Sequence, residues 1–183
     1  MRMLRLVATG MALFSVGGCA DGPAILGPGL PASSLQDRAS AVTTSPARRI
    51  QASGEFDALV DFTTLTLTPR GRNCLIRVKG QLVFTGTLEG PAIGQTTALV
   101  FASCADVAAN PPGTFPDVFH SELEFDGLVD GEPAEANMRY MGRSEPGGHI
   151  AGRLLQSHGV EGRLAVDAQL AVGGEYDGSV VVH

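Results

Sequence analysis

The chain has 183 residues, 19 acidic against 13 basic side chains, 44% hydrophobic residues and no Trp, enough for one modest globular domain plus unstructured extra. Its formal net charge of −6 excludes a phosphate-tracking nucleic-acid binder, which needs excess Lys and Arg to displace counterions. A charged fraction of 17% is too low for a chain that is disordered throughout.

The first residues combine Arg2 and Arg5 with an apolar run from Leu6 to Val16, the pattern of a signal peptide. That run is well short of the ~20 residues a spanning helix needs. It leads through small residues into Val16-Gly17-Gly18-Cys19, which resembles the lipobox of bacterial lipoproteins. The resemblance implies cleavage after Gly18, acylation of Cys19 and a mature chain held on a membrane outside the cytoplasm, with two or more acyl chains giving a stable anchor. Losing residues 1–18 removes Arg2 and Arg5 and no acid, leaving 11 basic against 19 acidic side chains, so a second, electrostatic attachment to anionic lipid is disfavoured. Ala20 rather than Asp follows Cys19, which in such lipoproteins implies the outer membrane or cell surface rather than the inner membrane.

Residues 19–54 are rich in Pro, Ala, Ser, Gly and Thr and lack lasting apolar periodicity, so they read as a flexible linker ahead of a domain over 55–183. Roughly thirty flexible residues give a root-mean-square reach of ~30 Å. Arg48 and Arg49 read as solvated linker residues.

From residue 55 onward the pattern has period two. Cys74, Ile76, Val78, Leu82, Phe84 and Leu88 alternate with Arg77, Lys79, Gln81, Thr85 and Glu89. Similar alternation recurs around Phe119–Phe125, Ala134–Tyr140, Leu164–Val172 and Tyr176–Val182. Turn residues separate the runs, with Asp130-Gly131 and Gly173-Gly174 suited to two-residue hairpins. Eight strands are expected near 55–67, 74–89, 95–104, 117–128, 133–143, 149–155, 163–172 and 175–183, with no convincing helical spacing anywhere. The expected fold is all-β, a single antiparallel up-and-down barrel, whose closure removes sheet edges. Gly80, Gly86, Gly127, Gly142, Gly152 and Gly178 fall on the apolar parity, suiting inward bends. The mature chain has two Tyr and no Trp, too few for the aromatic girdles of a transmembrane barrel, so a soluble one is expected.

Three segments carry a further likeness: Phe84-Thr-Gly-Thr-Leu-Glu-Gly90, Phe125-Asp-Gly-Leu-Val-Asp-Gly131 and Gly159-Val-Glu-Gly-Arg-Leu-Ala-Val166. Over roughly the last hundred residues the chain resembles the allene oxide cyclase-like barrel families. These are turn and strand-bend motifs, so the resemblance implies the fold and carries over no catalytic residue.

With Cys19 assigned to lipid, Cys74 and Cys104 form an even pair in an oxidising compartment, and a disulfide is expected. A tight turn at Glu89-Gly90 would set Cys74 opposite residue 105. A loop over 90–94 would set it opposite residue 110 and require the following segment to curl back. Two buried free thiols or a metal pair are the alternative, although no His or acid nearby completes a zinc-like spacing.

No phosphate loop, GxSxG elbow, HExxH helix or CxxC pair occurs. His120, Glu122 and Glu124 share one strand face and read as solvated rather than as a metal or acid–base site. Ser157-His158 reads as loop polarity. The acids from Asp117 to Glu135 lack a calcium-loop spacing and read as a solubilising surface. No catalytic residue, metal or cofactor is therefore assigned.

The expected barrel-facing set is Ile76, Val78, Leu82, Phe84, Leu99, Phe101, Phe119, Leu123, Phe125, Met138, Tyr140, Leu164, Val166 and Tyr176. Six of these, Phe84, Phe101, Phe119, Phe125, Tyr140 and Tyr176, are the candidate lining for a ligand inside the barrel. An eight-stranded barrel is just wide enough to be filled by side chains or to hold one small ligand. The leading expectation is a non-catalytic, lipid-anchored envelope protein that binds a small apolar molecule or an envelope partner. Its rivals are a cyclase- or isomerase-type enzyme using Tyr140, Tyr176 or an inward Ser as proton donor, and a purely structural envelope protein.

Overall fold

The computed structural model describes residues 46–183; the expected signal peptide, Cys19 and the expected linker up to residue 45 lie outside the described residues. In chain order the elements are β1 (Arg48–Arg70), β2 (Asn73–Gly86), β3 (Leu88–Val100), α1 (Cys104–Ala109), β4 (Asp117–Val129), β5 (Glu132–Ser144), β6 (His149–Ser157), β7 (Val160–Gln169) and β8 (Gly173–Val182). Each strand pairs antiparallel with its neighbour in sequence, and β8 pairs back with β1 from Arg48↔Val182 to Asp57↔Gly173. The sheet is thus a closed eight-stranded barrel, as the alternation predicts.

The strands begin and end where side-chain chemistry requires. β1 starts at Arg48, so residues 48–54, expected to end the linker, are strand: Ile50 and Ala52 alternate with polar neighbours, and Ala52 is buried. Arg48 is not a free linker residue, because its guanidinium pairs with Asp130 at 2.7 Å. The β4–β5 hairpin turns on Asp130 and Gly131, both at positive φ and flanked by the pair Val129↔Glu132, the two-residue turn expected. The other predicted hairpin shifts: Gln169 pairs with Gly173, so the turn is Leu170-Ala171-Val172, with Ala171 at positive φ and Val172 exposed. Gly173 instead lies flat against β1, where a Cβ would meet the Phe56 carbonyl oxygen.

Between β2 and β3 the chain reverses at Thr87 rather than at Glu89-Gly90, which sets Cys74 opposite Val100. Residues opposed in an antiparallel pair share a face, so buried Cys74 brings Val100, Ala98 and Thr96 inward with it. Two members of the expected inward set are therefore misplaced. Leu99 takes the outward parity opposite Leu75, and Phe101 lies beyond the end of β3, 50% exposed. The segment expected as the end of that strand instead enters α1, where the Ser103 hydroxyl accepts from the Asp106 backbone N–H and caps the first turn.

The two ends of the barrel differ. The end holding the start of β1, Thr87, the β4–β5 turn and the end of β8 is packed solid. Phe84 meets Phe56 and Tyr176 at 5.5 Å each and Phe125 at 6.1 Å. Leu88, Val129, Val160, Leu164 and Val180 fill the remaining space and are almost wholly buried. The Tyr176 hydroxyl accepts from the Leu88 N–H at 2.8 Å and donates to the Thr85 carbonyl at 3.1 Å, tying this floor to the β2–β3 turn. The outward positions, among them Glu55, Asp57, Arg77, Lys79, Glu122, Arg139 and Arg163, are exposed and charged along the strands, a surface suited to water rather than lipid.

Candidate functional site: a cavity at the barrel mouth

At the opposite end the interior is hollow. A cavity of about 340 Å³ is lined from the barrel wall by residues that include Ala58, Val60, Ile76, Val78, Thr96 and Ala98. β4 and β5 contribute Asp117, Phe119, Ser121, Leu123 and Tyr140, and the segment from Val107 to Phe115 supplies a further wall. These wall residues from β1, β2 and β3 are small or β-branched, so they leave the width of the barrel unfilled.

Two devices shape the mouth. The first is a wide bulge in β1, where residues 62–65 stand opposite Val78 alone. Asp61 builds it: Oδ1 accepts from the Thr63 N–H at 3.0 Å and from the Thr63 hydroxyl, while the Asp61 carbonyl accepts from the Thr64 hydroxyl at 2.8 Å. The Thr64 hydroxyl oxygen in turn accepts from the Lys79 N–H, which the bulge would otherwise leave without its ladder partner. Phe62 and Leu65, carried on this bulge, line the cavity yet remain substantially exposed.

The second device is the wall over residues 101–116. Cys74 and Cys104 form the expected disulfide, with Cα atoms 4.8 Å apart. Neither predicted register is the one found. Cys74 faces Val100, and residues 101–103 turn the chain back so that Cys104, the first residue of α1, meets β2. Further along, the Gly113 carbonyl accepts from the Gly147 N–H at 2.9 Å, and the Gly148 carbonyl accepts from the Leu170 N–H at 2.8 Å. The wall is thereby bonded to the β5–β6 turn, and that turn to the β7–β8 turn.

Polar groups in this apolar space are few. Thr96 and Ser121 share a hydrogen bond at 2.7 Å. The Ser144 hydroxyl donates to Asp117 Oδ2 at 2.5 Å; burial pushes the Asp117 carboxyl above its ordinary range, and the Ser144 bond opposes that. Tyr140 is 5% exposed, and its hydroxyl, fully buried, has no hydrogen-bond partner. Burial, with a smaller contribution from the charge of Asp167, raises its pKa far above the ordinary phenol value. Its ring stands edge-on to Phe119 at 4.9 Å, above the paired Gly142 and Gly152. A Cβ at Gly152 would lie 2.8 Å from the Tyr140 ring and one at Gly142 3.2 Å from the Phe119 ring, so these glycines make room for the aromatic pair.

Of the six candidate lining residues, Phe119 and Tyr140 face the cavity. Phe84, Phe125 and Tyr176 belong to the solid half, and Phe101 lies outside the barrel wall. Sequence reasoning missed Thr96, Ala98, Ser121 and Asp117. All four were within reach, since Asp117 and Ser121 share parity with Phe119, and Thr96 and Ala98 with Cys104. His120, Glu122 and Glu124 are exposed on the outer face, with Glu122 opposite Arg139. Ser157 and His158 lie at the packed end, both bonded to Asn137. Of the acids from Asp117 to Glu135, Asp117 alone is buried.

No protein-family model matches the chain, and no curated protein matches its sequence. Among solved structures it is similar to a protein of unknown function of the DUF3224 family from Shewanella oneidensis, at 16% identity and a TM-score of 0.46, over 74% of this chain and 98% of that one.

Proposed function

We propose that the protein is a non-catalytic, lipid-anchored, extracytoplasmic β-barrel that holds a small apolar ligand in the cavity at its mouth. The observation that carries this reading is the cavity: about 340 Å³ of largely apolar, partly open space within a barrel otherwise packed solid. That volume lies in the range of small-molecule sites, which are apolar with a few placed polar groups. The lipobox-like Val16–Cys19 and the disulfide both suit life outside the cytoplasm.

Tyr140 also favours a second reading, an isomerase-type enzyme with this hydroxyl as proton donor. Against it stands the direction of its pKa, since a general acid works best with a pKa near the operating pH and this one is moved further away. An envelope partner on the outer face is the remaining alternative.

Native mass spectrometry of the full chain from membranes tests the binding reading. A reproducible small-molecule adduct is expected, lost in Ala98→Phe, which places a ring inside the cavity. A bare mass for both proteins overturns the carrier reading and leaves the structural one. Membrane fractionation with labelled palmitate tests the anchor: label and membrane association are expected in the parent chain and absent in Cys19→Ala. A parent chain without label overturns it.

A further inference from the structure

The cavity's chemistry narrows the class of ligand, given the reading of that cavity as a binding site. Two charged residues border it. Lys79 is exposed at an outward strand position, between Asp61 on β1 and Gln95 on β3. Asp117 is buried and already engaged by Ser144. A carboxylate ligand would therefore lose its water, meet no inward cation and approach Asp117, a combination that strongly disfavours entry. Hydrogen-bonding capacity points the same way. Thr96 and Ser121 spend one hydroxyl proton on each other and have a second to offer. The Tyr140 hydroxyl is buried with its proton unused, a state that costs free energy until an acceptor arrives. The Thr96–Ser121 pair and Tyr140 thus each have a donor to offer, and all three residues line the cavity with Val60, Val78, Ala98 and Phe119.

We propose that the cavity takes an uncharged, mostly hydrocarbon molecule with one hydrogen-bond acceptor, a carbonyl or ether oxygen, to which the Tyr140 hydroxyl donates. At about 30 Å³ of liquid volume per water-sized unit, the space holds roughly eleven non-hydrogen atoms. Phe62 and Leu65, both lining the cavity and reaching solvent, mark the side from which such a molecule enters.

Calorimetric titration of the full chain with three probes of one length tests this: a ten-carbon methyl ketone, decanoate and decylammonium. The ketone is expected to bind at least tenfold more tightly than either ion. Tyr140→Phe is expected to weaken the ketone about five- to tenfold, the worth of one neutral hydrogen bond. Equal or tighter binding of either ion overturns the ligand class, and unchanged ketone binding in Tyr140→Phe overturns the donor assignment. Ala98→Phe separates this failure from failure of the site. Ketone binding that survives it lies elsewhere, and no binding of any probe to the parent chain removes the site itself. The class comparison uses the unmutated protein, so it stands even if a variant fails to fold.

Discussion

The solid and hollow halves of this barrel are made from the same eight strands, with the same alternation, yet one buries a continuous core and the other encloses space. In the solid half each layer receives large side chains from several strands: Phe56, Phe84, Phe125 and Tyr176 meet across the axis, with Leu88, Leu164 and Val180 between them. In the hollow half Phe119 and Tyr140 face a wall of Ala58, Val60, Val78, Thr96, Ala98 and Ser121, whose volumes leave the space beside them unfilled. Period two decides which way a residue faces, whereas summed side-chain volume decides whether the interior closes. The bulge over residues 62–65 and the disulfide-tied wall frame the space that those small residues leave.

Truncation should break this comparison most sharply. Leu164→Ala and Ile76→Ala delete the same number of carbons, but Leu164 is 0% exposed in the solid half and Ile76 is half-buried against the cavity. Leu164→Ala is expected to destabilise by about 3–5 kcal/mol, through lost burial plus a new void. Ile76→Ala, where space already exists, should cost only about 1 kcal/mol. Urea unfolding of both variants checks the contrast, and equal losses would mean that the hollow half is packed in solution.

Removing the Cys74–Cys104 bond comes next. A link closing 30 residues contributes about 3–4 kcal/mol on the chain-entropy account. Because the bond fastens the wall of the cavity, Cys74→Ala with Cys104→Ala should lower the unfolding midpoint. It should also speed amide exchange over residues 101–116 while leaving β7 and β8 protected until global unfolding. Uniform acceleration across the barrel would place the bond's effect in global stability alone.

How much of this the sequence carried follows from the same division. Facing was legible: Cys74, Ile76, Val78, Leu82 and Phe84 show their parity directly, and eight such runs specify a closed meander. The pairing register was not, because the reversal at Thr87 has weaker turn chemistry than Glu89-Gly90-Pro91, and that error alone turned Leu99 the wrong way. Seven residues of β1 were hidden in a Pro- and Ser-rich context, since their alternation matters only once β8 lies beside them. α1 went unseen because six residues give no helical period, although Ser103 and Asp106 stand at capping spacing. The bulge left its trace in Asp61-Phe-Thr-Thr64, where short polar side chains offer backbone partners. As for the site, Phe119 and Tyr140 were nameable from the strand pattern, but a cavity is a deficit of volume across five or more strands and no single run displays it.

The two tyrosines sharpen the comparison at a smaller scale. Tyr176→Phe takes an acceptor from the buried Leu88 N–H and should cost about 1–3 kcal/mol. Tyr140→Phe removes a hydroxyl with no partner, so its stability should be unchanged or higher by up to about 1 kcal/mol. Thermal melts of the two variants, measured together, decide this. A loss in Tyr140→Phe as large as that in Tyr176→Phe would show that the Tyr140 hydroxyl has a partner in solution, and the donor proposed for the ligand would already be committed.

Asp117 gives the smallest and most specific signal, a dependence on pH. Burial raises its folded pKa above the ordinary value of 3.8, so between those two values the folded protein binds more protons than the unfolded chain. The contribution of Asp117 is therefore fully present below 3.8 and is lost as pH rises through the folded pKa. Asp117→Asn, with no proton to lose, should abolish that component, so the stability difference, parent minus variant, should fall with rising pH across this window and then level off. Unfolding midpoints across the acid range measure it. A difference that instead grows with pH would mean that Asp117 is stabilised as a carboxylate, and that the mouth of the hollow half is wetter than its burial implies.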